Sequence, residues 1–248
     1  MASDETIAFR VRRKVSRWLA SRGYELTRIR PDDANGFGEN QNPQADKLSD
    51  RLARFEQGDG FESPQERCLS QAIARFIGDA HTVVAMGPGT GVFEKFVSVD
   101  AALDIVGLVP DADYLAWCEA NRAAPRLRFS ACDPADVRDE YGEFDLAVSI
   151  GQLDGSVDFA RHLGDLSSMA GRAIVTASNR SRDFESLVAR SPLDPEHVRE
   201  WTAGEFYWVL RAFYSEVKLF AMSDPCVPEL KTAGLFCDES PLVAVCKK

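Results

Sequence analysis

The stretch VVAMGPGTGVF, residues 83–93, reads as a buried strand that runs into a glycine turn and then into a helix. Its glycines Gly87, Gly89 and Gly91 have the spacing GxGxG, which lets backbone N–H groups approach a ligand closely at the helix start. The dinucleotide pattern GxGxxG needs a glycine where Val92 stands, and the phosphate-binding pattern GxxxxGK is absent. The turn therefore predicts a ligand-binding edge and disfavours NAD and ATP.

The region around this turn alternates between strand-like and helix-like segments. The strand-like segments are TVVAM, LDIVGLV, RLRFSA, FDLAVSI and GRAIVTAS, and the helix-like segments between them are GVFEKFVSV, DADYLAWCEANR, PADVRDEY and VDFARHLGDLSSM. Such alternation predicts right-handed βαβ units and a parallel sheet covered by helices on both faces. In open sheets of this type a ligand binds at the carboxyl ends of the strands, where the strand order reverses.

Five segments, in chain order, resemble the class I S-adenosylmethionine-dependent methyltransferases. They are the GxGxG turn, IVGLV with PDADYLAWCEAN, RFSACDPADV, EFDLAVSIGQLD and GRAIVTASN, and together they cover residues 80–180. The resemblance implies an α/β, Rossmann-like fold whose seven-stranded, mostly parallel sheet has the order 3-2-1-4-5-7-6, with helices on both faces. We expect residues 63–248 to form this domain and residues 1–62 to form an N-terminal helical extension.

The resemblance also implies which residues contact S-adenosylmethionine. The glycines match the loop under the methionine moiety of the cofactor. Cys132 and Asp133 match the positions that flank the adenine ring and contact its amino group, and Ser149 and Gln152 match the segment that lines the cofactor and the substrate entrance. The full matching set is Gly87, Gly89, Gly91, Cys132, Asp133, Ser149 and Gln152.

Two acids that are usual in this family are missing. The acid before the glycine loop aligns with Ala85, and the acid that ends strand 2 and binds both ribose hydroxyls aligns with Val109. A charge-assisted contact of that kind contributes roughly 1.5–3 kcal/mol, so its loss is expected to weaken cofactor binding. Asp111, two residues beyond Val109, is the candidate replacement for the ribose acid. The alternative is that Asp111 caps the helix that follows it.

Methyl transfer depends on positioning the acceptor, and a general base assists when the acceptor is a hydroxyl. His197 and Arg199, in PEHVREWT, stand in a loop that faces the acceptor in similar bacterial enzymes, which makes His197 the candidate base. The alternative is that His197 is an exposed or capping residue ahead of a helix that begins near Thr202, with Glu205 completing a capping box. His162 is interpreted as a helix-surface residue.

Aromatic residues are concentrated in WTAGEFYWVLRAFY. A helix that packs on a sheet needs one stripe of apolar side chains, and four of these aromatic residues fall outside that stripe. We interpret the four as candidates to line an acceptor pocket or an oligomer interface. They are Trp201, Tyr207, Trp208 and Tyr214. The segment SDPCVPELKTAGLFCDE, between the last two predicted strands, is expected to form a long loop.

Charge and composition limit the partners. The net charge is −10, yet the first 30 residues carry eight basic side chains against three acidic ones. The acidic remainder disfavours nucleic acid as a partner. Residues 7–30 contain a basic amphipathic helix that is expected to bind an anionic membrane surface, an acidic protein partner, or the chain's own domain.

The cysteine and histidine content predicts no metal site, because the six cysteines include no CxxC pair and the chain has only three histidines. No apolar run approaches the roughly 20 residues that span a bilayer, and the N-terminus lacks the apolar core of a signal peptide. We therefore expect a cytoplasmic protein, with attachment to the inner face of a membrane as an option.

Two functions remain open. The first is an S-adenosylmethionine-dependent methyltransferase with an atypical cofactor site, acting on a small-molecule or glycan-type acceptor. The second is a catalytically inactive protein of the same fold that serves as a binding or scaffold subunit, and homo-oligomers are compatible with both. The first is preferred because the glycines, Asp133 and the segment 149–152 are present.

Overall fold

A computed structural model describes residues 64–87, 91–99, 103–180, 197–224 and 226–248 of the chain. The predicted N-terminal extension, with its basic helix, lies outside these ranges. Gly89, in the middle of the glycine turn, also lies outside them.

The strands of the described part form one sheet. Their bounds are β1 Thr82–Met86, β2 Asp104–Leu108, β3 Leu127–Ser130, β4 Leu146–Ser149, β5 Arg172–Ala177, β6 Glu216–Ala221, β7 Lys231–Thr232 and β8 Leu242–Lys247. The strand order is β3-β2-β1-β4-β5-β8-β6-β7. Strands β1 to β5 pair in parallel, whereas β8 is antiparallel to both of its neighbours, β5 and β6.

This arrangement confirms the predicted Rossmann-like α/β fold, with the closing strand inserted between the fifth and sixth. The predicted number of strands is wrong, because the sheet has eight strands rather than seven. The additional strand is β7, whose two residues pair with Phe220 and Ala221 at the outer edge of β6. It lies within the segment that was expected to be a long loop.

Seven helices are described. Their bounds are α1 Pro64–Ala74, α2 Val92–Ser98, α3 Ala112–Arg122, α4 Val137–Tyr141, α5 Gln152–Gly155, α6 Phe159–Met169 and α7 Ala203–Leu210. The predicted capping box at the start of α7 is confirmed: Thr202 Oγ1 accepts from the backbone N–H of Glu205 at 3.1 Å, and the Glu205 carboxylate accepts from the backbone N–H of Thr202 at 3.0 Å.

The sheet separates two apolar cores, because consecutive side chains on a strand point to opposite faces. Val83 contributes to the core shared with α1, α2 and α3, and Val84 contributes to the core shared with α5, α6 and α7. The central strands β1, β2, β4 and β5 are buried on both faces, which explains their nearly continuous apolar sequences.

Two of the four surplus aromatic residues belong to the core. Trp201 is 0% exposed and Tyr214 is 2% exposed, and both pack into the core on the α7 side of the sheet. Their interpretation as pocket or interface residues is therefore wrong. Trp201 lies beside the end of β5, where it forms an isolated parallel bridge with Asn179. Because Trp201 precedes α7, the apolar stripe of that helix does not predict its position. Tyr207 and Trp208 are half-buried and pack edge to face.

We expect Leu163→Ala to lower the free energy of unfolding by about 2–5 kcal/mol, because Leu163 is fully buried and its truncation leaves a cavity between α6 and the sheet. The matched control is Val157→Ala, at a side chain 85% exposed just before α6, with an effect within about 0.5 kcal/mol. Chemical denaturation measures both variants. Equal losses would contradict the packing of α6 described above.

Candidate functional site

The topology places a crevice between the carboxyl ends of β1 and β4. From β1 the sheet continues through β2 to β3, and from β4 it continues through β5 in the opposite direction. The loops that leave β1 and β4 therefore lead to helices on opposite faces of the sheet. Ligands of open α/β sheets bind at such a reversal of strand order. We refer to this place as the β1–β4 crevice.

The β1 side of the crevice includes Gly87 and Gly91, the two described glycines of the turn. Gly87 has φ +65°, and its backbone N–H donates to the carbonyl oxygen of Leu108 at 3.1 Å. Gly91 has φ +71° and precedes the first residue of α2. A Cβ atom on Gly91 would lie 3.2 Å from both Arg122 Cγ and Phe129 Cζ. Glycine is required at both positions, because other residues rarely adopt a positive φ.

The β4 side of the crevice begins with Gly151 and Gln152. Gly151 has φ 67°, and its backbone N–H donates to Thr176 Oγ1 at 2.8 Å. The side chain of Gln152 reaches across the crevice to Gly87. A Cβ atom on Gly87 would lie 2.5 Å from Gln152 Oε1, 2.6 Å from its Cδ and 2.7 Å from its Cγ. The structure therefore brings these two predicted cofactor residues into direct contact.

The two positions that lack the usual acids are buried and apolar. Ala85 is 2% exposed and Val109 is 4% exposed, and the backbone N–H of Val109 continues the ladder by donating to Ser130. Asp111 is exposed, and its Oδ1 accepts from the backbone N–H of Tyr114 at 2.8 Å. Asp111 is thus the N-cap of α3, as in the second of the two interpretations given above.

Asp133 stands after β3 with half of its side chain exposed. Its Oδ1 accepts from the backbone N–H of Ala135 at 3.0 Å, and Arg161 approaches its Oδ2 to 3.2 Å. The Arg161 side chain is 63% exposed, and an ion pair of this kind contributes about 0–1 kcal/mol. A ligand can therefore replace Arg161 at little cost. Cys132, the neighbouring candidate, is half-buried.

Ser149 ends β4 and is fully buried. Its Oγ lies 2.8 Å from Nε2 of His162, which is half-buried on α6. Burial lowers the pKa of His162 to about 4, so the ring is neutral at physiological pH. The interpretation of His162 as a helix-surface residue is wrong. The spacing of Phe159, His162, Leu163 and Leu166 is the signal that places His162 on the inner side of α6.

The candidate catalytic residues lie in an extended segment, residues 197–201, beside the end of β5. The backbone N–H of Trp201 donates to Ser178, and the backbone N–H groups of Val198 and Arg199 donate to the carbonyl oxygen of Asp154 at 2.8 and 3.0 Å. Because β4 ends at Ser149, this segment takes the place beside β5 that a longer β4 would occupy. It brings His197 and Arg199 to the same edge of the sheet as the crevice.

His197 lies among carboxylates. Its Nδ1 is 3.6 Å from Glu200 Oε1, and its side chain is 21% exposed. Asp154, on α5, is 1% exposed, and its Oδ2 accepts from the backbone N–H of Ser178 at 2.8 Å. Burial raises the pKa of Asp154 to about 6, and the nearby His197 opposes this shift. The spacing of residues in the sequence does not indicate that Asp154 belongs to the site, because its burial and its closeness to His197 arise only in the folded chain.

Arg199 is held in place by neighbouring side chains. Its guanidinium carbon lies 4.2 Å from the centre of the Trp201 ring and 5.5 Å from that of Phe159, and its Nη2 is 3.6 Å from Glu205 Oε1. Burial lowers the pKa of Arg199. A stacked, paired guanidinium of this kind fixes the position of the segment that carries His197.

A second buried carboxyl group lies behind the glycine turn. Glu94, in the first turn of α2, is 2% exposed, and burial raises its pKa to about 8, with Glu66 adding to the shift. Among the described residues its Oε2 has no hydrogen-bond partner. Glu94 has no distinguishing signal in the sequence, because a glutamate in the first turn of a helix is ordinary.

Within the described ranges, no group of three or more His, Cys, Asp and Glu side chains is arranged to hold a metal ion. No helix in those ranges is both long and apolar enough to cross a membrane.

Comparison with known proteins gives matches in structure but not in sequence. No protein-family model and no curated protein matches the chain. Among solved structures, the methyltransferase domain of bacterial CtHen1 is 16% identical, with a TM-score of 0.55, and the match covers 74% of this chain and 97% of that one. The plantazolicin methyltransferase BpumL, in complex with SAH, is 13% identical, with a TM-score of 0.56 and coverage of 84% and 91%.

A third similar structure is that of the 4+2 cyclase SpnF, which is 18% identical, with a TM-score of 0.51 and coverage of 69% of this chain and 70% of that one. At these identities the matches show the fold. The chain has the fold of the S-adenosylmethionine-dependent class I methyltransferases.

The buried carboxyl group of Glu94 predicts a dependence of stability on pH. The folded chain keeps a proton that the unfolded chain loses above a pKa of about 4.3. The free energy of unfolding therefore falls as pH rises from there to about 8, by up to about 1.4 kcal/mol per pH unit. We expect Glu94→Gln to remove this slope, so that the variant matches the wild type at about pH 4.5 and exceeds it increasingly up to about pH 8.

Denaturation at a series of pH values measures this difference. Glu140→Gln, at an exposed glutamate of α4, is the matched control and should follow the wild-type profile. Parallel profiles for the wild type and Glu94→Gln would show that Glu94 is not buried as a neutral acid.

Proposed function

We propose that this chain, which has the fold of the class I methyltransferases, is an S-adenosylmethionine-dependent methyltransferase with an atypical cofactor site and a small-molecule or glycan-type acceptor. The observation that carries the proposal is the β1–β4 crevice, which has the positive-φ glycines Gly87 and Gly91 on one side and Gln152 on the other. Similar structures that are named methyltransferases, one of them in complex with SAH, support it.

Three contacts with the cofactor are expected, and this chain has candidate residues for two of them, the glycine turn and the adenine amino group. Gly87 and Gly91 are two positive-φ positions without side chains of their own, and a ligand can approach the main chain at Gly87 when the side chain of Gln152 moves away. Asp133 provides an exposed carboxylate for an amino group; it accepts from the backbone N–H of Ala135 and forms a weak surface ion pair with Arg161. The third point is the ribose, where the buried side chain of Val109 offers no acceptor and the next acid along the chain, Asp111, caps α3.

This fit predicts binding that is weaker than that of a site with both acids. A carboxylate bound to the ribose diol contributes roughly 1.5–3 kcal/mol, so its absence lowers affinity by about ten- to hundredfold. When bound, S-adenosylmethionine supplies an electrophilic methyl group. The residues of this chain then have to position an acceptor atom and accept its proton.

We propose His197 as the proton acceptor. Its ring lies beside a carboxylate, with Nδ1 3.6 Å from Glu200 Oε1, and its side chain is 21% exposed. Arg199 holds the segment through its contacts with Trp201 and Glu205. This role of His197 favours a hydroxyl acceptor, because methylation of a hydroxyl gains most from a base.

A second candidate function is that of a binding or scaffold protein of the same fold without methyl transfer. The burial of Val109 in the core favours it, because a hydrophobic side chain cannot replace the ribose acid. One similar structure is named a 4+2 cyclase, so the fold alone does not determine the reaction. Contact of residues 7–30 with an anionic membrane or an acidic partner, and formation of homo-oligomers, remain predictions compatible with either function.

Isothermal titration calorimetry with S-adenosylmethionine and its demethylated product tests the proposal. We expect measurable binding by the wild type and an approximately tenfold loss in Asp133→Ala, because the contact with the adenine amino group is removed. Asp136→Ala removes the same charge from an exposed aspartate three residues away and should bind as the wild type does. Failure of the wild type to bind at millimolar ligand would favour the second function.

Asp111→Ala separates the two roles of Asp111. Loss of the N-cap should lower the free energy of unfolding by about 1 kcal/mol, and affinity for S-adenosylmethionine should stay within about twofold. Denaturation and calorimetry on the same sample measure both quantities. A tenfold loss of affinity would instead assign the ribose contact to Asp111.

A further inference from the structure

The side chain of Gln152 spans the crevice where the strand order reverses. Gly87 follows β1 and Gln152 follows β4, so the contact between them joins the two sides of the β1–β4 crevice. Three atoms of the side chain, Cγ, Cδ and Oε1, lie within 2.7 Å of the point where a Cβ atom of Gly87 would stand. The side chain therefore lies flat against the backbone of Gly87.

This position excludes a ligand from the same space. A glycine in a ligand-binding turn lets a ligand approach the main chain closely, because no side chain intervenes. At Gly87 that space is filled by the side chain of another residue. A ligand that contacts the backbone of Gly87 has to displace Gln152 first.

The contact between Gln152 and Gly87 can be broken by a rotation of the Gln152 side chain. The Gln152 side chain meets Gly87 through a packing contact of its Cγ, Cδ and Oε1 atoms. It stands at the first position of the four-residue helix α5, and it is half-buried. Beside it, a Cβ atom on Gly151 would meet no heavy atom within 4 Å, so the backbone at the base of the side chain has open space.

We propose that Gln152 is an autoinhibitory gate, which closes the β1–β4 crevice by its contact with Gly87 and swings away from Gly87 to admit S-adenosylmethionine. The inference rests on the proposed function for the identity of the ligand. It assigns Gln152 a role opposite to that of a cofactor contact, because the closed position competes with the ligand.

A gate of this kind lowers the apparent affinity by the fraction of chains in which it is open. If about one chain in three to one in ten is open, removal of the side chain increases affinity about three- to tenfold. We expect Gln152→Ala to bind S-adenosylmethionine and S-adenosylhomocysteine more tightly than the wild type by that factor. The matched control is Val157→Ala, which shortens an exposed side chain just beyond α5 and should leave affinity unchanged.

Calorimetry with the full chain separates the outcomes. Tighter binding by Gln152→Ala, or binding by the variant alone, supports the gate. Equal or weaker binding by the variant, with a wild type that binds, overturns the gate and leaves the proposed function standing. If neither chain binds at millimolar ligand, both the proposed function and a gate for this ligand are wrong.

A double-mutant cycle tests the closed contact without any ligand. Gly87→Ala places a methyl group against Gln152 and also imposes the strain of a positive φ. With Gln152→Ala in place, only the strain remains, so the loss of Tm caused by Gly87→Ala should be clearly smaller in that background. Equal losses in both backgrounds would show that Gln152 does not rest on Gly87 in solution.

Discussion

The parallel pairing of β1 with β2 on one side and with β4 on the other is the constraint on which the site depends. Because the chain moves outward in opposite directions from β1 and β4, the loops that follow these strands separate and leave a crevice between them. Burial of Val83 and Val84 in the two cores fixes the register of β1, and this register determines where Gly87 stands. The contact between Gly87 and Gln152 follows from that placement.

Much of the fold could be predicted from the sequence, because its signals are local. Apolar runs such as TVVAM identify strands that are buried on both faces, and Thr202 with Glu205 identifies the start of α7. The strand order followed from the resemblance rather than from any pattern in the residues. The two-residue strand β7 could not be predicted, since it is too short to show a period and exists only by pairing with β6.

The candidate site was less predictable, because its properties come from contacts between distant segments. Glu94 and Asp154 resemble ordinary surface acids in the sequence, and only the folded chain buries them. Trp201 is in the core because residues 197–201 lie beside β5, where no helical or strand period indicates it. The absence of the ribose acid, in contrast, was visible at Val109, and the structure adds that this position is buried.

The proposed function requires that S-adenosylmethionine binds across the β1–β4 crevice. The most direct measurement is NMR of the isotopically labelled chain during addition of S-adenosylhomocysteine, with each backbone amide assigned. We expect saturable shifts at Gly87, Gly91, Gln152 and Asp133, and little change at the amino ends of the strands, around His81 and Asp104. The absence of saturable shifts at those four residues at millimolar ligand would contradict the claim, as would shifts confined to another part of the chain.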